Sequence, residues 1–254
     1  MNHNSLKKFY ILLLPFLVFL LHLPFVFAKP HSKQMSSAAT LAGTLKTEKA
    51  SADSIAASSV YETMNLDQLG LSREAFNYAV QGFNYLLSTG KLNNNHILSI
   101  VDFSLPAGKK RLFVIDMEKR QVLFNTYVAH GRNSGKEYAN QFSNSPESFK
   151  SSLGFYITKG TYNGQHGYSL QLEGEEKGIN DNALSRAIVI HSADYVNENV
   201  VKSQGYVGRS LGCPALPAKF TKPIIQTIKD GSCFFMFSPK TNYVSKSQIL
   251  QLAS

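Results

Sequence analysis

The sequence lacks most of the residue patterns that mark metal, nucleotide or disulfide-rich proteins. Its 254 residues include only two cysteines, Cys213 and Cys233, whose spacing is not that of a zinc site. It contains no glycine-rich phosphate loop and no His-x-x-x-His pair, and its seven histidines are scattered. The sequence therefore predicts no metal site and no cofactor.

Long apolar runs are also scarce, and the one present lies near the start of the sequence. Phe9 to Phe27 is almost wholly apolar, follows Lys7 and Lys8, and precedes Ala28. This order of basic, apolar and small residues is typical of a cleaved secretory signal. A retained anchor is the alternative, because the run is about long enough to cross a bilayer. We expect residues 1–28 to be removed, leaving no stable transmembrane anchor and a protein secreted to the periplasm or cell envelope.

Acidic residues are fewer than basic ones, since 26 Lys and Arg outnumber 17 Asp and Glu and give a formal charge of +9. The basic residues are scattered and form no stripe, so we do not expect nucleic acid as a partner. Such a charge suits a protein that works near anionic envelope polymers or lipid head groups. A surface charge that only keeps the protein soluble is an equally good explanation.

Large apolar residues are sparse between residues 29 and 60, where Ser, Ala, Thr and Lys dominate. Such a segment buries too little surface to offset its ordering entropy, which predicts a disordered tether. In the following segment, 61–94, apolar residues recur at helical spacing behind Ser72, a good N-cap residue. This pattern predicts a helical appendage in which Phe76 and Phe83 pack into the core rather than bind a partner.

From residue 95 to residue 240 the sequence alternates short extended runs with polar turns. These runs predict strands, with two short helices among them; the strand segments are Ile97–Phe103, Arg111–Asp116, Gln121–Ala129, Ser152–Thr158, Tyr168–Leu172, Ala187–Ile190 and Ser232–Phe237. Many short strands and few helices favour a mainly β domain, either a sandwich or a closed sheet. Residues 241–254 are predicted to be a polar tail.

The chemistry of this domain centres on His191 and Cys213. His191 follows the apolar run Ala187–Ile190, and Cys213 lies in the turn Ser210-Leu211-Gly212-Cys213-Pro214. A thiol becomes a good nucleophile when a base is near, and imidazole is the side chain best suited to that role near neutral pH. Gly212 leaves space for a substrate and lets backbone N–H groups converge beside the sulfur, as an oxyanion site requires. We interpret this stretch as a cysteine-nucleophile active site.

The second cysteine allows a different interpretation of the first. Secreted proteins often pair their cysteines, and a disulfide between Cys213 and Cys233 would remove the nucleophile. Cys233, however, lies in an apolar run that reads as a core strand, where a lone thiol behaves as a small hydrophobic residue. We therefore favour an inert buried thiol at Cys233 over a structural disulfide.

Several segments together carry a family resemblance. The sequence resembles the L,D-transpeptidase catalytic domain family of cell-wall enzymes, the YkuD-like group, whose signature is a strand-end His followed by a Ser/Thr-x-Gly-Cys turn. Within that family it is similar to the murein L,D-transpeptidase catalytic-domain subgroup. The matching segments lie in order between about residues 95 and 240; they are Val101–Ser104, Arg111–Val114, Ala129–Asn133, His191–Tyr195 and Gly208–Ala215.

The resemblance implies an enzyme that acts on the stem peptides of peptidoglycan. Cys213 would attack the carbonyl of a third-position diaminopimelate and release the terminal D-alanine. An amine of a neighbouring stem or water would then resolve the thioester. The resemblance assigns His191 as the base and the Ser210 main-chain carbonyl as the group that orients its imidazole. The N–H groups near Gly212 would bind the oxyanion, and a carbapenem would acylate the cysteine.

The sequence departs from the common family form at two positions, with Leu211 in place of a His and Ala215 in place of an Arg or Asn. Any guanidinium that binds the substrate carboxylate must therefore come from elsewhere, and Arg209 and Arg132 are the candidates because Arg matches carboxylate geometry. An ordinary loop-bracing role is the alternative for each. The departures also leave open a peptidoglycan-binding protein that keeps the fold without turnover.

Three further residues near the predicted site allow two roles each. His130, beside Gly131, is either a second substrate-contacting acid or base or a loop brace, and we favour the brace. Asp194 either helps to position His191 or caps the helix that follows it. Tyr195 either assists His191 or belongs to the core.

Overall fold

The computed structural model describes residue 57 and residues 59–253. The predicted signal, residues 1–28, and nearly all of the predicted tether, residues 29–60, lie outside this part of the chain. No helix among the described residues is long and apolar enough to cross a membrane.

The fold is built on a sheet of eight strands, as the mainly β prediction requires. The strands are β1 (Ile97–Asp102), β2 (Leu112–Asp116), β3 (Gln121–Thr126), β4 (Gly154–Gly164), β5 (Gly167–Gly174), β6 (Val189–Ser192), β7 (Ala215–Leu216) and β8 (Cys233–Phe237). Their order in the sheet is β3-β2-β1-β8-β4-β5-β6-β7. The β1–β8 and β6–β7 pairs are parallel, and the other neighbouring strands are antiparallel.

The two ends of this sheet meet, so the sheet closes on itself. The chain that continues from β3 reaches β7, where the Ala129 N–H donates to the Ala215 carbonyl at 2.9 Å. Two residues further on, Gly131 forms a parallel bridge with Ser210. This closure confirms the closed-sheet form of the prediction, and it places the cysteine turn at the seam between the first and last strands of the ring.

The helices lie around the sheet. They are a short stretch at residues 59–63, followed by α1 (Arg73–Ser88), α2 (Glu198–Gln204), α3 (Ala218–Ile228), α4 (Tyr243–Lys246) and α5 (Gln248–Leu252). Ser72 caps α1 by accepting a hydrogen bond from the Ala75 N–H, as predicted, and Gly90 follows the helix with a φ of 68°. The N-cap of α2 is Asn197, so the alternative in which Asp194 caps this helix is wrong.

The hydrophobic core joins α1 to the central strands. Every residue of β1, β2 and β8 is buried, and α1 packs against β1 and β8. Phe76 and Phe83 of α1 are buried in this core, as the helical spacing predicts. A Cβ at Gly82 would lie 2.0 Å from the Phe155 ring, so this glycine lets that ring pack against the helix. The helix predicted as an appendage is therefore continuous with the core of the sheet.

Two segments differ from the sequence prediction. Residues 160–167, predicted as a loop, instead extend β4 and β5 into a longer hairpin whose outer part is exposed. Residues 243–252, predicted as part of a polar tail, form α4 and α5, and Tyr243, Ile249 and Leu250 of this segment are buried. The apolar residues of both segments are too few and too irregularly spaced to predict these structures from sequence.

Candidate active site

His191 is held at the edge of the closed seam by β6, which pairs with β5 on one side and β7 on the other. The side chain is buried, and its Nδ1 lies 2.8 Å from the Ser192 carbonyl oxygen. Because a carbonyl only accepts hydrogen bonds, this contact assigns the proton of the neutral ring to Nδ1. Nε2 then carries the lone pair, which is the state that a general base needs.

A second imidazole covers His191 from the β4–β5 hairpin. The rings of His166 and His191 stack with centroids 4.4 Å apart and planes inclined by 23°, and the Ser192 hydroxyl donates to the His166 carbonyl at 3.4 Å. Burial lowers the pKa of His191 and repulsion from His166 lowers it further, while the Ser192 carbonyl opposes both effects. The imidazole of His191 is therefore neutral, and able to accept a proton, at neutral pH.

Ser210 closes the cysteine turn through its side chain. Its hydroxyl donates to the Cys213 carbonyl at 2.6 Å and accepts from the Gly212 N–H at 3.1 Å. Its own carbonyl accepts from the Arg132 N–H at 2.8 Å. The prediction that the Ser210 carbonyl orients the imidazole is therefore wrong, since the Ser192 carbonyl makes that contact instead. Ser192 is the last residue of β6, and Ser210 begins the cysteine turn. No sequence pattern shows which of these two carbonyls contacts the imidazole.

Two glycines allow the turn to approach its neighbours closely. Gly212 has a φ of 128°, and a Cβ there would lie 2.9 Å from the Lys150 carbonyl oxygen. A Cβ at Gly131 would lie 2.4 Å from the Phe149 carbonyl oxygen and 3.0 Å from the Cα of Gly212. Gly131, predicted to contact substrate, therefore packs behind the cysteine turn.

The sulfur of Cys213 is half-buried and contacts the segment that leads into β6. The Val189 N–H donates to Sγ at 3.5 Å, and the thiol donates to the Ala187 carbonyl at 3.6 Å. Burial raises the pKa of the Cys213 thiol, against the opposing effects of the Val189 N–H and the positive charge of Arg186. The resting form at neutral pH is therefore the thiol, which needs a base before it can act as a nucleophile.

The structure places Cys213 in the turn that leads into β7, next to the strand that carries His191, because His191 pairs with Ala215, two residues beyond Cys213. Within the described residues, no hydrogen bond joins the imidazole to the sulfur, and the thiol points to the Ala187 carbonyl instead. Proton transfer to Nε2 requires the thiol to turn away from that carbonyl. A rotation about the Cα–Cβ bond moves the sulfur between staggered positions without moving the backbone.

The predicted oxyanion donors differ in their availability. The Gly212 N–H is already bonded to the Ser210 hydroxyl. The Cys213 N–H has no hydrogen-bond acceptor in the part of the chain that the structure describes. Of these two predicted donors, the Cys213 N–H is therefore the one that remains free to bind an oxyanion.

His130 is buried behind the site and does not face it. Its Nδ1 accepts a hydrogen bond from the buried Arg111 guanidinium at 2.7 Å, and its Nε2 donates to the Gly135 carbonyl at 3.3 Å. Burial, followed by repulsion from Arg111, lowers the pKa of His130 to about 3. With both ring nitrogens engaged, His130 braces its loop, which is the role that we favour from the sequence, and a contact with substrate stays a prediction.

The two arginines predicted to bind the substrate carboxylate lie on the exposed rim of the turn. Arg209 donates from Nη1 to the carbonyls of Arg132 and Gly135 at 3.2 and 3.1 Å. The Arg132 guanidinium lies over the Phe149 ring, 4.2 Å from its centroid. Both side chains are exposed, so their role toward substrate stays a prediction.

Three groups near the site were not found from the sequence. Arg186 lies against Gly212, the residue before Cys213, and its charge lowers the pKa of the thiol. His166 stacks on His191, and the Ser151 hydroxyl accepts from the Gly131 N–H and donates to the Gly212 carbonyl. Ser151 and His166 lie in polar stretches with no distinguishing pattern. The one available signal is a charged Arg186 immediately before the apolar Ala187–Ile190 run. Tyr195 also lies near the sulfur, whose negative charge, after burial, raises the pKa of the phenol.

The cysteines are both free, so the alternative of a 213–233 disulfide is wrong. Cys233 is fully buried in β8, and burial raises its pKa well above the usual thiol range, as expected of an inert core thiol. Among the described residues, no group of three or more His, Cys, Asp or Glu side chains is arranged to hold a metal ion.

A closed, mainly antiparallel sheet that carries a strand-end histidine and a Ser-x-Gly-Cys turn at its seam defines a class of β proteins with a cysteine–histidine site. Residues 67–237 match the model of the family described as L,D-transpeptidase catalytic domain. The chain belongs to this family.

Solved structures similar to the chain come from several bacteria. An L,D-transpeptidase from Mycobacterium smegmatis is 15% identical with a TM-score of 0.35, over 56% of this chain and 59% of that one. The helical cell shape determining protein Pgp2 (K307A mutant) from Campylobacter jejuni is 16% identical with a TM-score of 0.39, over 68% and 60%. L,D-transpeptidase 3 from Mycobacterium tuberculosis is 11% identical with a TM-score of 0.36, over 56% and 61%.

The match thus spans about three fifths of the length of these structures. No curated protein matches the sequence.

Proposed function

We propose that the protein is an exported cysteine acyltransferase that acts on the stem peptides of peptidoglycan. The observation that carries the proposal is the site itself, with a half-buried thiol in a glycine turn and a neutral imidazole on the neighbouring strand. Family membership supports the same chemistry. The chemistry needs no group beyond those of the chain and its substrates.

In the first step, His191 Nε2 takes the thiol proton as the sulfur attacks the carbonyl carbon of the third stem residue. The new C–S bond forms a tetrahedral intermediate, and the Cys213 N–H donates to its oxyanion. The intermediate collapses by breaking the C–N bond to D-alanine. The departing amine takes the proton from the imidazolium, which leaves a thioester and a neutral His191.

In the second step, an amine of a neighbouring stem attacks the thioester while His191 accepts a proton from it. The C–S bond breaks, the thiolate recovers its proton, and the product is a cross-link between the third residues of two stems. Water in place of the amine gives L,D-carboxypeptidase activity by the same sequence. Which product dominates depends on access of the acceptor.

The test uses residues 29–254 with tetrapeptide muropeptides, followed by mass spectrometry of the products. We expect D-alanine release in the wild-type protein and its loss in Cys213→Ala, because the nucleophile is then absent. Cys233→Ala is the matched control, since it removes the buried thiol and leaves the site intact, and it should turn over like wild type. Equal turnover in Cys213→Ala and wild type would refute the nucleophile assignment.

A second candidate function is a peptidoglycan-binding protein of the same fold without turnover. The raised pKa of the Cys213 thiol and its hydrogen bond to the Ala187 carbonyl favour this candidate, as do Leu211 and Ala215. Intact mass after incubation with a carbapenem separates the two functions. A covalent adduct that disappears in Cys213→Ala supports the enzyme, whereas retained binding to cell-wall sacculi without an adduct supports the binding protein.

We also propose that the protein works in the periplasm or cell envelope after removal of residues 1–28. The basic residues and apolar run at the start of the sequence support this proposal. Cell fractionation followed by N-terminal sequencing of the mature protein tests it. A mature protein that begins after Ala28 in the envelope fraction is the expected result, and an intact N-terminus in the cytoplasm would contradict it.

A further inference from the structure

Arg186 is tied to a single loop beside the cysteine turn. Its Nη1 donates to the Ser143 carbonyl at 2.8 Å and the Ser152 hydroxyl at 2.6 Å. Its Nη2 donates to the Lys150 carbonyl at 2.7 Å and the Ser148 hydroxyl at 3.3 Å. The four terminal N–H hydrogens of the guanidinium therefore each have an acceptor within residues 143–152. Since these four hydrogens are already used, the terminal nitrogens cannot bind a substrate carboxylate without giving up contacts to the loop, and they serve the protein itself.

The same loop lies against the back of the cysteine turn. A Cβ at Gly212 would lie 2.9 Å from the Lys150 carbonyl oxygen and 3.4 Å from Arg186 Nη2. The Ser151 hydroxyl donates to the Gly212 carbonyl at 3.0 Å. The guanidinium is thus fixed against the residue that precedes the nucleophile, where its charge attracts an anion on the sulfur.

We propose that Arg186 is a positioning residue for the Cys213 thiolate, which clamps the 143–152 loop to the cysteine turn and supplies a fixed positive charge beside the sulfur. The proposal rests on the proposed function, since it takes Cys213 as the nucleophile. When His191 removes the thiol proton, the negative charge that forms on Sγ is stabilised by this guanidinium and by the Val189 N–H.

Two other titratable groups near the sulfur, Tyr195 and His191, do not supply that charge. Burial and the negative charge on the sulfur raise the pKa of Tyr195, so its phenol stays neutral. Burial lowers the pKa of His191, so its imidazole is neutral before it takes the proton. An arginine keeps its charge throughout the range in which a thiol titrates. Arg209 and Arg132 are exposed on the rim of the turn, and Arg186 is the cation whose charge lowers the pKa of Cys213.

The test measures alkylation of Cys213 by iodoacetamide from pH 6 to 10, with the modified residue identified by peptide mass spectrometry. In Arg186→Gln, we expect the midpoint to move to higher pH by about one unit, so that the rate at neutral pH falls about tenfold. Arg186→Lys keeps the charge and should keep the wild-type midpoint. Arg120→Gln, which removes an exposed arginine of the β2–β3 turn, should also match wild type.

Hydrogen exchange of residues 143–152 tests the clamp separately. Protection of this loop should fall in both Arg186→Gln and Arg186→Lys, because the lysine ammonium does not reproduce the planar four-bond geometry. It should be unchanged in Arg120→Gln. A wild-type midpoint in Arg186→Gln overturns the charge role, and wild-type exchange in both Arg186 variants overturns the clamp.

Circular dichroism checks that each variant folds. If Arg186→Gln does not fold, Arg186→Lys is used for the test. The proposal then requires a wild-type alkylation midpoint together with reduced protection of residues 143–152 in this variant. Any other pair of results refutes the proposal. A failure of the proposed function has a different signature: Cys213→Ala would keep muropeptide turnover while the alkylation shift in Arg186→Gln remained.

Discussion

The close approach of the backbone at Gly212 fixes how near Cys213 lies to Arg186 and to the 143–152 loop behind it. The residue combines a φ of 128° with a Cβ direction that points at the Lys150 carbonyl. Either condition alone disfavours a side chain, and together they exclude one unless the loop moves. The glycine of the Ser-x-Gly-Cys turn thus determines the spacing between the sulfur and Arg186.

We predict that Gly212→Ala displaces the 143–152 loop and abolishes acyl transfer, at a cost in folding of about 1–3 kcal/mol. Gly178→Ala is the matched control, because Gly178 also has a positive φ, 76°, but has nothing within 4 Å of its Cβ direction. The control should lose some stability to the strained φ and keep its activity. Urea unfolding and muropeptide turnover measure both effects, and full activity in Gly212→Ala would contradict the role of close packing.

The sequence predicts the residue types of the site better than their hydrogen bonds. His191 and Cys213 were found because a strand end and a glycine turn are local patterns that leave a signal in sequence. The orienting carbonyl was assigned to Ser210, while the structure assigns it to Ser192, and no sequence pattern encodes which carbonyl an imidazole meets. For His130 the sequence favours the loop brace but does not identify its buried partner, Arg111, because the two residues are distant along the chain.

At the scale of elements, the β4–β5 hairpin reaches beyond the sheet to cover the base. Its outer residues are exposed, and its contacts with β6 at the site are the His166 ring and the His166 carbonyl. A stacked neighbour keeps His191 away from water and disfavours a second positive charge beside it. The hairpin therefore contributes to the lowered pKa of His191, after burial.

We predict that His166→Ala moves the acid limb of kcat/KM for muropeptide turnover to higher pH. Removing His166 exposes His191 and removes a repulsive charge, and both changes raise the pKa of His191 toward its ordinary value. A protonated imidazole does not accept the thiol proton, so activity is lost at a higher pH than in wild type. His96→Gln, at a histidine remote from the site, should leave the limb unchanged. An acid limb that stays in place in His166→Ala would exclude this role.

The strands were predictable at this scale because apolar runs bounded by polar turns mark them directly. The apolar runs do not predict the order of the strands in the sheet or the parallel pairing of β1 with β8 and of β6 with β7. The hairpin extension was missed because residues 160–167 are polar and glycine-rich and bury little surface. Its strand structure comes from pairing between β4 and β5, a tertiary contact.

At the scale of the whole molecule, the C-terminal helices are joined to the sheet through one buried carboxylate. Glu176 accepts hydrogen bonds from the Phe155 N–H at 2.8 Å, from the Tyr243 hydroxyl at 2.8 Å and from the Ser247 hydroxyl. Burial raises the pKa of Glu176, and these three hydrogen bonds oppose the rise. The direction of the shift shows that burial outweighs the hydrogen bonds.

We predict that wild type loses stability relative to Glu176→Gln as the pH rises through the range in which Glu176 ionises. A folded-state pKa above the unfolded value stabilises the protein below the unfolded pKa, and this stabilisation is lost as pH rises through the folded pKa. Glutamine is neutral at every pH, so it removes this dependence. Urea unfolding from pH 4 to 8 measures the difference in unfolding free energy between the two proteins. A difference that is flat with pH, or that grows in favour of wild type, would contradict the shift.

The bridge between Gly131 and Ser210 at the seam affects when Cys213 reaches its native environment during folding. Pairing of segments so distant in sequence comes late, because the intervening chain must be ordered first. An unfolded chain therefore carries an ordinary thiol at Cys213, and this thiol acquires its native surroundings only when the ring is complete. The rate at which that thiol is labelled during refolding would then report when the seam between Gly131 and Ser210 forms.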